Sequence, residues 1–156
     1  LSEELGQEFN NELFCGNNKY YVPSIEDIRV GYECETFITD RWATEIVNPY
    51  NISLHVQNIL SAQSPQHNTS IGFARAPYLT KEQIESEGWE LMITEDWVKV
   101  SVFNKNDFQY ELLFDELKHT ITVIKFRKKE SSILFSGECL SINEFRMITR
   151  KSLKIE

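Results

Sequence analysis

The stretch WVKVSVFNKNDFQYELLFDELKHTITVIKFRKKESSILFSGEC, from Trp97 to Cys139, decides the fold. Val98, Val100 and Val102 alternate with Lys99 and Ser101, and Lys105-Asn106-Asp107 then predicts a hairpin loop ahead of a second run, Phe108, Tyr110, Leu112 and Phe114. Glu116 to His119 turns the chain again. Thr120 to Arg127 is rich in β-branched residues and reads as a third strand. Lys128 to Ser131 makes the next turn, after which Ile133, Phe135, Gly137 and Cys139 share one face of a fourth strand. Connections this short join antiparallel neighbours, so the four segments form a meander.

A helix closes the meander. Ser141-Ile-Asn-Glu144 is a complete Ser-x-x-Glu capping box, and Ile142, Phe145, Ile148 or Thr149, and Leu153 line one side of the helix it opens. That apolar side belongs against the sheet, because burying one Phe or Ile is worth roughly 1.5 to 3 kcal/mol. The expected fold class is therefore α+β: an antiparallel β-meander or open barrel with short helices and a C-terminal amphipathic helix packed on the sheet.

Upstream, Ser24 and Asp27 resemble a capping box around a single turn, with Ile25 and Ile28 expected to face inward and Gly31 releasing the chain. From Tyr32 to Thr39 a strand places Glu33 and Glu35 on one face and Tyr32, Cys34 and Thr36 on the other. Tyr50 to Leu60 alternates imperfectly and fits a strand or a short helix. Ser61 to Ser70 has the polar composition of an exposed loop. In Ile71 to Leu79, Pro77 restricts a strand to a sheet edge or to its own end. Thr80 and Gln83 form another capping box for a two-turn helix, Lys81 to Glu87, stopped by Gly88, and Trp89, Leu91 and Ile93 read as a strand.

With 156 residues, 41% hydrophobic and 26% charged, the chain has the size of one globular domain, 1–156, with 1–19 as a flexible N-terminal segment. Its longest apolar runs fall far short of the roughly 20 residues a membrane helix needs. Leu1 to Glu12 carries four glutamates and no apolar centre, so it does not read as a secretory signal. Cys15, Cys34 and Cys139 are too few and too scattered for a disulfide framework or paired zinc ligands, and a reduced compartment is expected. The glycosylation sequons at Asn51 and Asn68 carry no weight in that setting.

Net charge is −8, unevenly spread: residues 1–117 hold 20 acidic and 7 basic side chains, whereas residues 118–156 hold 4 acidic and 9 basic, giving −13 and +5. Overall acidity counts against ordinary binding to nucleic-acid phosphates. Arg127, Lys128, Lys129, Arg146, Arg150, Lys151 and Lys154 would form a basic patch only if the last hairpin and helix lay side by side. Solvated faces and a favourable helix C-terminus explain them as well.

Enzymatic readings find little to hold. Glu33 and Glu35 on one strand face are the nearest thing to a metal or acid–base pair, and Glu116-Leu117-Lys118 matches the Glu-x-Lys of metal-dependent nucleases, though it falls in a predicted turn where a nuclease needs a central strand. His55, His67 and His119 have no Cys or Ser at a suggestive local spacing. There is no phosphate-binding glycine loop. Neither a cofactor nor a metal site is expected, and no catalytic residue is assigned.

Three islands, Val22-Pro-Ser-Ile-Glu-Asp-Ile-Arg-Val-Gly-Tyr-Glu-Cys-Glu35, Tyr78-Leu-Thr-Lys-Glu-Gln-Ile-Glu-Ser-Glu-Gly-Trp89 and Leu134-Phe-Ser-Gly-Glu-Cys139, resemble a group of small uncharacterised proteins carried by bacterial phages and mobile elements. The resemblance implies a bacterial cytoplasmic setting and an accessory role, and it carries over no catalytic residue. Two binding classes fit such a role. One is a protein-binding module anchored by aromatics among Trp42, Tyr50, Trp89 and Trp97, each of which core packing would also explain. The other is an acidic mimic of nucleic acid that blocks a host defence protein, with Glu82, Glu85, Glu87, Glu90, Glu95 and Asp96 as its stripe, each of which a solvated face would also explain. A protein partner, contacted through Glu82, Glu85, Glu87 and Glu90, is the expectation; no membrane and no direct nucleic-acid contact are expected, and homo-oligomerisation is left open.

Overall fold

The computed structural model describes residues 19–38, 40–63 and 74–156. Residues 1–18 of the expected flexible segment, Cys15 among them, and residues 64–73, which include His67 and Asn68, lie outside the described residues. The chain divides into two compact units, Leu1–Tyr78 and Leu79–Glu156, each with its own antiparallel sheet.

In the first unit the strands β1 (Tyr20–Tyr21), β2 (Glu33–Ile38), β3 (Arg41–Ile46) and β4 (Ala74–Pro77) lie in the order β1-β4-β2-β3. Period-two alternation on β2 works as the sequence predicts: Tyr32, Cys34 and Thr36 are buried, while Glu33 and Glu35 sit on the other face, only partly exposed. Pro77 is the last residue of β4, where its missing N–H breaks no ladder. Ser24 caps a 3-10 turn, Ile25–Asp27, and Gly31 leaves it at φ +92°, a conformation that only glycine takes without strain. Ile28 packs inward, but Ile25 is 41% exposed, because the turn ends at Asp27 and Ile28 has already left it for extended backbone, so the two isoleucines do not share a helical face.

The ambiguous stretch after residue 50 is a helix, α1 (Ile52–Gln63), which also takes the first residues of the expected 61–70 loop. Its start is set by Asn48, whose Oδ1 accepts from Tyr50 N at 2.8 Å and Asn51 N at 3.0 Å, while Asn51 Oδ1 accepts in return from Asn48 N at 2.7 Å. Pro49 sits in the turn that leads into the helix, where its missing N–H breaks no helical hydrogen bond. His55 and Ile59 are buried, and Ile52 and Val56 are partly so; these four make the i, i+3, i+4, i+7 face of an amphipathic helix.

The second unit is the predicted meander with a fifth strand added in front. β5 (Glu90–Glu95), β6 (Val100–Lys105), β7 (Tyr110–Asp115), β8 (Thr120–Arg127) and β9 (Glu130–Glu138) pair in sequence order, each antiparallel to the next, and the described residues form no closed barrel. Opposite one another across the ladder stand Phe103, Leu112, Val123 and Phe135, so the inner face is one continuous apolar row. Short α2 (Lys81–Ser86) opens on the expected box, with Gln83 N donating to Thr80 Oγ1 and Thr80 N to Gln83 Oε1, and Gly88 leaves it at φ +87°.

Residues 142–155 cover the inner face. Ser141 and Glu144 cap α3 (Ile142–Arg146), which widens into a π turn over Met147–Ser152. Thr149 Oγ1 donates to the Phe145 carbonyl at 2.8 Å, and the wider turn lets Ile148 and Leu153 join the core beside the buried Thr149. Ile142, Phe145 and Ile155 are buried, and the Phe145 ring meets Trp89 edge-on at 6.3 Å. No helix among the described residues is long and apolar enough to cross a membrane. Phe145→Ala is expected to lower unfolding free energy by about 3–5 kcal/mol in a urea titration, and Phe145→Asp to abolish the cooperative transition of this unit, since a carboxylate there has no partner.

Candidate functional site

The four glutamates expected to meet a partner separate into two environments. Glu82 and Glu85 project from α2 into solvent and Glu90 opens β5, also exposed. Glu87 differs: its side chain is 5% exposed and is gripped by Arg146, whose Nε lies 2.7 Å from Oε1, and by Arg150, which pairs with Oε2. Lys105 adds its Nζ to the Glu87 carbonyl at 2.9 Å and lies over the Trp89 ring at 5.7 Å. Burial lowers the Lys105 pKa, the Glu87 carboxylate opposes that shift, and Arg150 adds to it. The cations considered for a C-terminal basic patch are thus split. Arg146 and Arg150 turn to Glu87, a partner 59 residues earlier in the chain for Arg146, which no local spacing reveals.

The four aromatic candidates also divide. Trp89 is core, and Trp42 is partly buried beside the Arg75 guanidinium, whose carbon lies 3.9 Å from its centroid and 3.6 Å from that of Tyr20. Arg75 also donates from Nε and a terminal nitrogen to Glu35 Oε1 at 3.2 and 2.9 Å. This ties Glu35 to a neighbouring strand. Tyr50 and Trp97 are free to touch something else, at 97% and 84% exposure. Trp97 follows β5, where Leu91, Met92 and Ile93 are exposed as well.

Glu116 lies in the turn between β7 and β8, where Lys118 N donates to Asp115 Oδ1 at 3.0 Å and His119 takes φ +54°. Among the described residues no group of three His, Cys, Asp or Glu side chains is placed to hold a metal ion.

One constellation escapes local spacing altogether. Cys34 on β2, opposite Glu45 on β3, meets His55 from α1: the Cys34 sulfur is 3.6 Å from Nδ1, and Nε2 is 3.2 Å from Glu45 Oε2. The order thiol, imidazole, carboxylate is that of a nucleophilic triad. Its electrostatics are the reverse of an activated one. Burial first, then Glu45 and Glu35, pushes the thiol up to about 12, and burial lowers the His55 pKa below its usual 6.5 against the pull of Glu45. A thiolate nucleophile needs a depressed pKa and access, whereas Cys34 and His55 are sealed and neutral at pH 7. The Asn48–Asn51 cap and the helical spacing Ile52, His55, Val56, Ile59 are the sequence signals that place His55 on the core face of a helix.

No protein-family model, curated protein or solved structure matches the chain.

Glu87→Gln should destabilise the protein by about 1–3 kcal/mol in denaturant titrations, because two guanidinium groups lose a shielded charged acceptor. Cys34 should alkylate with iodoacetamide only as fast as the protein unfolds. His55 gains a proton more readily in the unfolded chain than in the fold, so it contributes stability that is present above pH 6.5 and is lost as pH falls below it; the loss between pH 7.5 and 5.5 should be smaller in His55→Gln.

Proposed function

We propose that this chain is a non-enzymatic accessory protein that binds another protein through the β5 margin of the meander. The carrying observation is that β5, an edge strand, exposes Leu91, Met92 and Ile93 and runs directly into Trp97, 84% exposed. Monomeric proteins rarely leave such side chains together in water without use, and a Trp at the centre of a contact is the side chain whose loss weakens binding most. The register shift between Leu91 and Ile93 puts a bulge at Met92, which blunts ladder extension and favours side-chain contact over strand addition. Glu82, Glu85, Glu90, Glu95 and Asp96 are exposed on β5 and on the segments that flank it in sequence, and they would favour a partner that carries basic groups. Glu87 is not among them. The likeness to small phage and mobile-element proteins supports a bacterial cytoplasm as the place of action.

The same exposed carboxylates support a second reading, an acidic mimic of nucleic acid that inhibits a host defence protein. Salt separates the two. Capture from a bacterial lysate on the tagged chain should retain a protein that Trp97→Ser and Ile93→Lys both lose, and raising salt from about 0.1 to 1 M should leave most of it bound. Retention that survives Trp97→Ser but vanishes in high salt would favour the mimic. Metal-dependent cleavage of nucleic acid that Glu33→Gln or Glu116→Gln abolishes would overturn both.

A further inference from the structure

The loops after β6 and β8 form a surface that the protein-binding reading does not use. Phe108, expected from its alternation to begin β7, instead lies in the four-residue turn 106–109, at φ +64° and 61% exposed. A bulky residue in the left-handed region is an outlier whose side chain is displayed rather than stored. Phe126, near the end of β8, is 41% exposed, and its N–H donates to the Gln109 carbonyl at 2.9 Å, which fixes the two turns side by side. Both rings line an open groove of about 500 Å³. The same groove is lined by three consecutive cations, Arg127, Lys128 and Lys129, all exposed, and among the described residues none of the three is ion-paired to a carboxylate. Asp107 and Glu130 sit in the lining as well, so the groove is cationic by a small margin.

We propose that this groove binds a short stretch of single-stranded nucleic acid, with bases stacked on Phe108 and Phe126 and phosphates against Arg127, Lys128 and Lys129. Exposed ring faces beside a run of cations are the two elements of sequence-tolerant single-strand binding. An open groove with flat aromatic walls suits a base better than a peptide side chain, which needs an enclosed pocket. The chain's overall acidity, which counts against nucleic acid in the sequence, is here a matter of distribution: residues 118–156 carry net positive charge, and three of their cations, Arg127, Lys128 and Lys129, stand together at the tip of the last hairpin, apart from the two that Glu87 takes up.

The test is fluorescence anisotropy of a labelled oligothymidylate of about 12 nucleotides with the full chain. Three phosphate contacts at about 0.7 each predict a slope near −2 for log affinity against log salt. Phe108→Ser should weaken binding about tenfold at fixed salt, and Arg127→Ala/Lys128→Ala/Lys129→Ala should abolish it while leaving the thermal midpoint unchanged, because all four side chains are exposed. Absence of binding at 50 mM salt, or binding indifferent to Phe108→Ser, would overturn the proposal. So would displacement of the oligonucleotide by polyglutamate, or by vesicles containing phosphatidylserine, at equal concentration of negative charge, since the site would then read charge alone or an acidic protein or a membrane surface.

Discussion

A five-stranded meander has two faces and must keep one of them from water, and in this protein residues 142–155 do so. Phe103, Leu112, Val123 and Phe135 form a row across the strands that only becomes a core when Ile142, Phe145 and Ile155 are laid over it. The Ser141–Glu144 box fixes where the covering helix begins, and the π turn adjusts its pitch so that Ile148, Thr149 and Leu153 all point in. Trp89 and the Arg146–Glu87–Arg150 group follow from the same arrangement, since both depend on α3 being held against the start of β5. Because the helix lies on the inner face, β5 and the hairpin turns are left to face outward.

The second half of the chain was legible because each of its signals is local. Period-two alternation, turns of two to four residues and a complete capping box each decide their own segment, and none competes with another. The first half was harder, for an identifiable reason. Its helix carries His55 at a core position, so the apolar pattern of Ile52, Val56 and Ile59 reads as broken unless an imidazole is allowed inside, and the Asn48-Pro49-Tyr50-Asn51 cap uses an amide where Glu is commoner. Ile25 and Phe108 show the opposite limit, an apolar residue whose backbone turns it outward. Glu87 shows a third: its sequence neighbours make it look like one of a solvated row, and only the fold brings two arginines to it.

The polar groups whose chemistry suggests a reaction centre are mostly engaged with one another inside the structure. Glu35 holds Arg75, Glu87 holds two arginines, and Cys34 and His55 are sealed between a sheet and a helix beside a half-buried Glu45, the thiol and imidazole neutral. Where such charges are buried, as at Glu87, Glu35 and Arg75, the pairing offsets the cost of leaving water, so it specifies how elements pack more than it adds to stability. On the surface remain exposed apolar side chains and carboxylates along and beside β5, and two phenyl rings beside three cations at the turns, on which the two proposed contacts rest.

Native-state hydrogen exchange tests the dependence of the sheet on its helical cover most directly. If residues 142–155 and the central strands stand or fall together, the amides of Phe103, Leu112, Val123 and Phe145 will exchange with one common opening free energy and one denaturant dependence. If Phe145 and Thr149 exchange near unprotected rates while Phe103, Leu112 and Val123 stay protected, the sheet is stable without its cover, which contradicts that dependence.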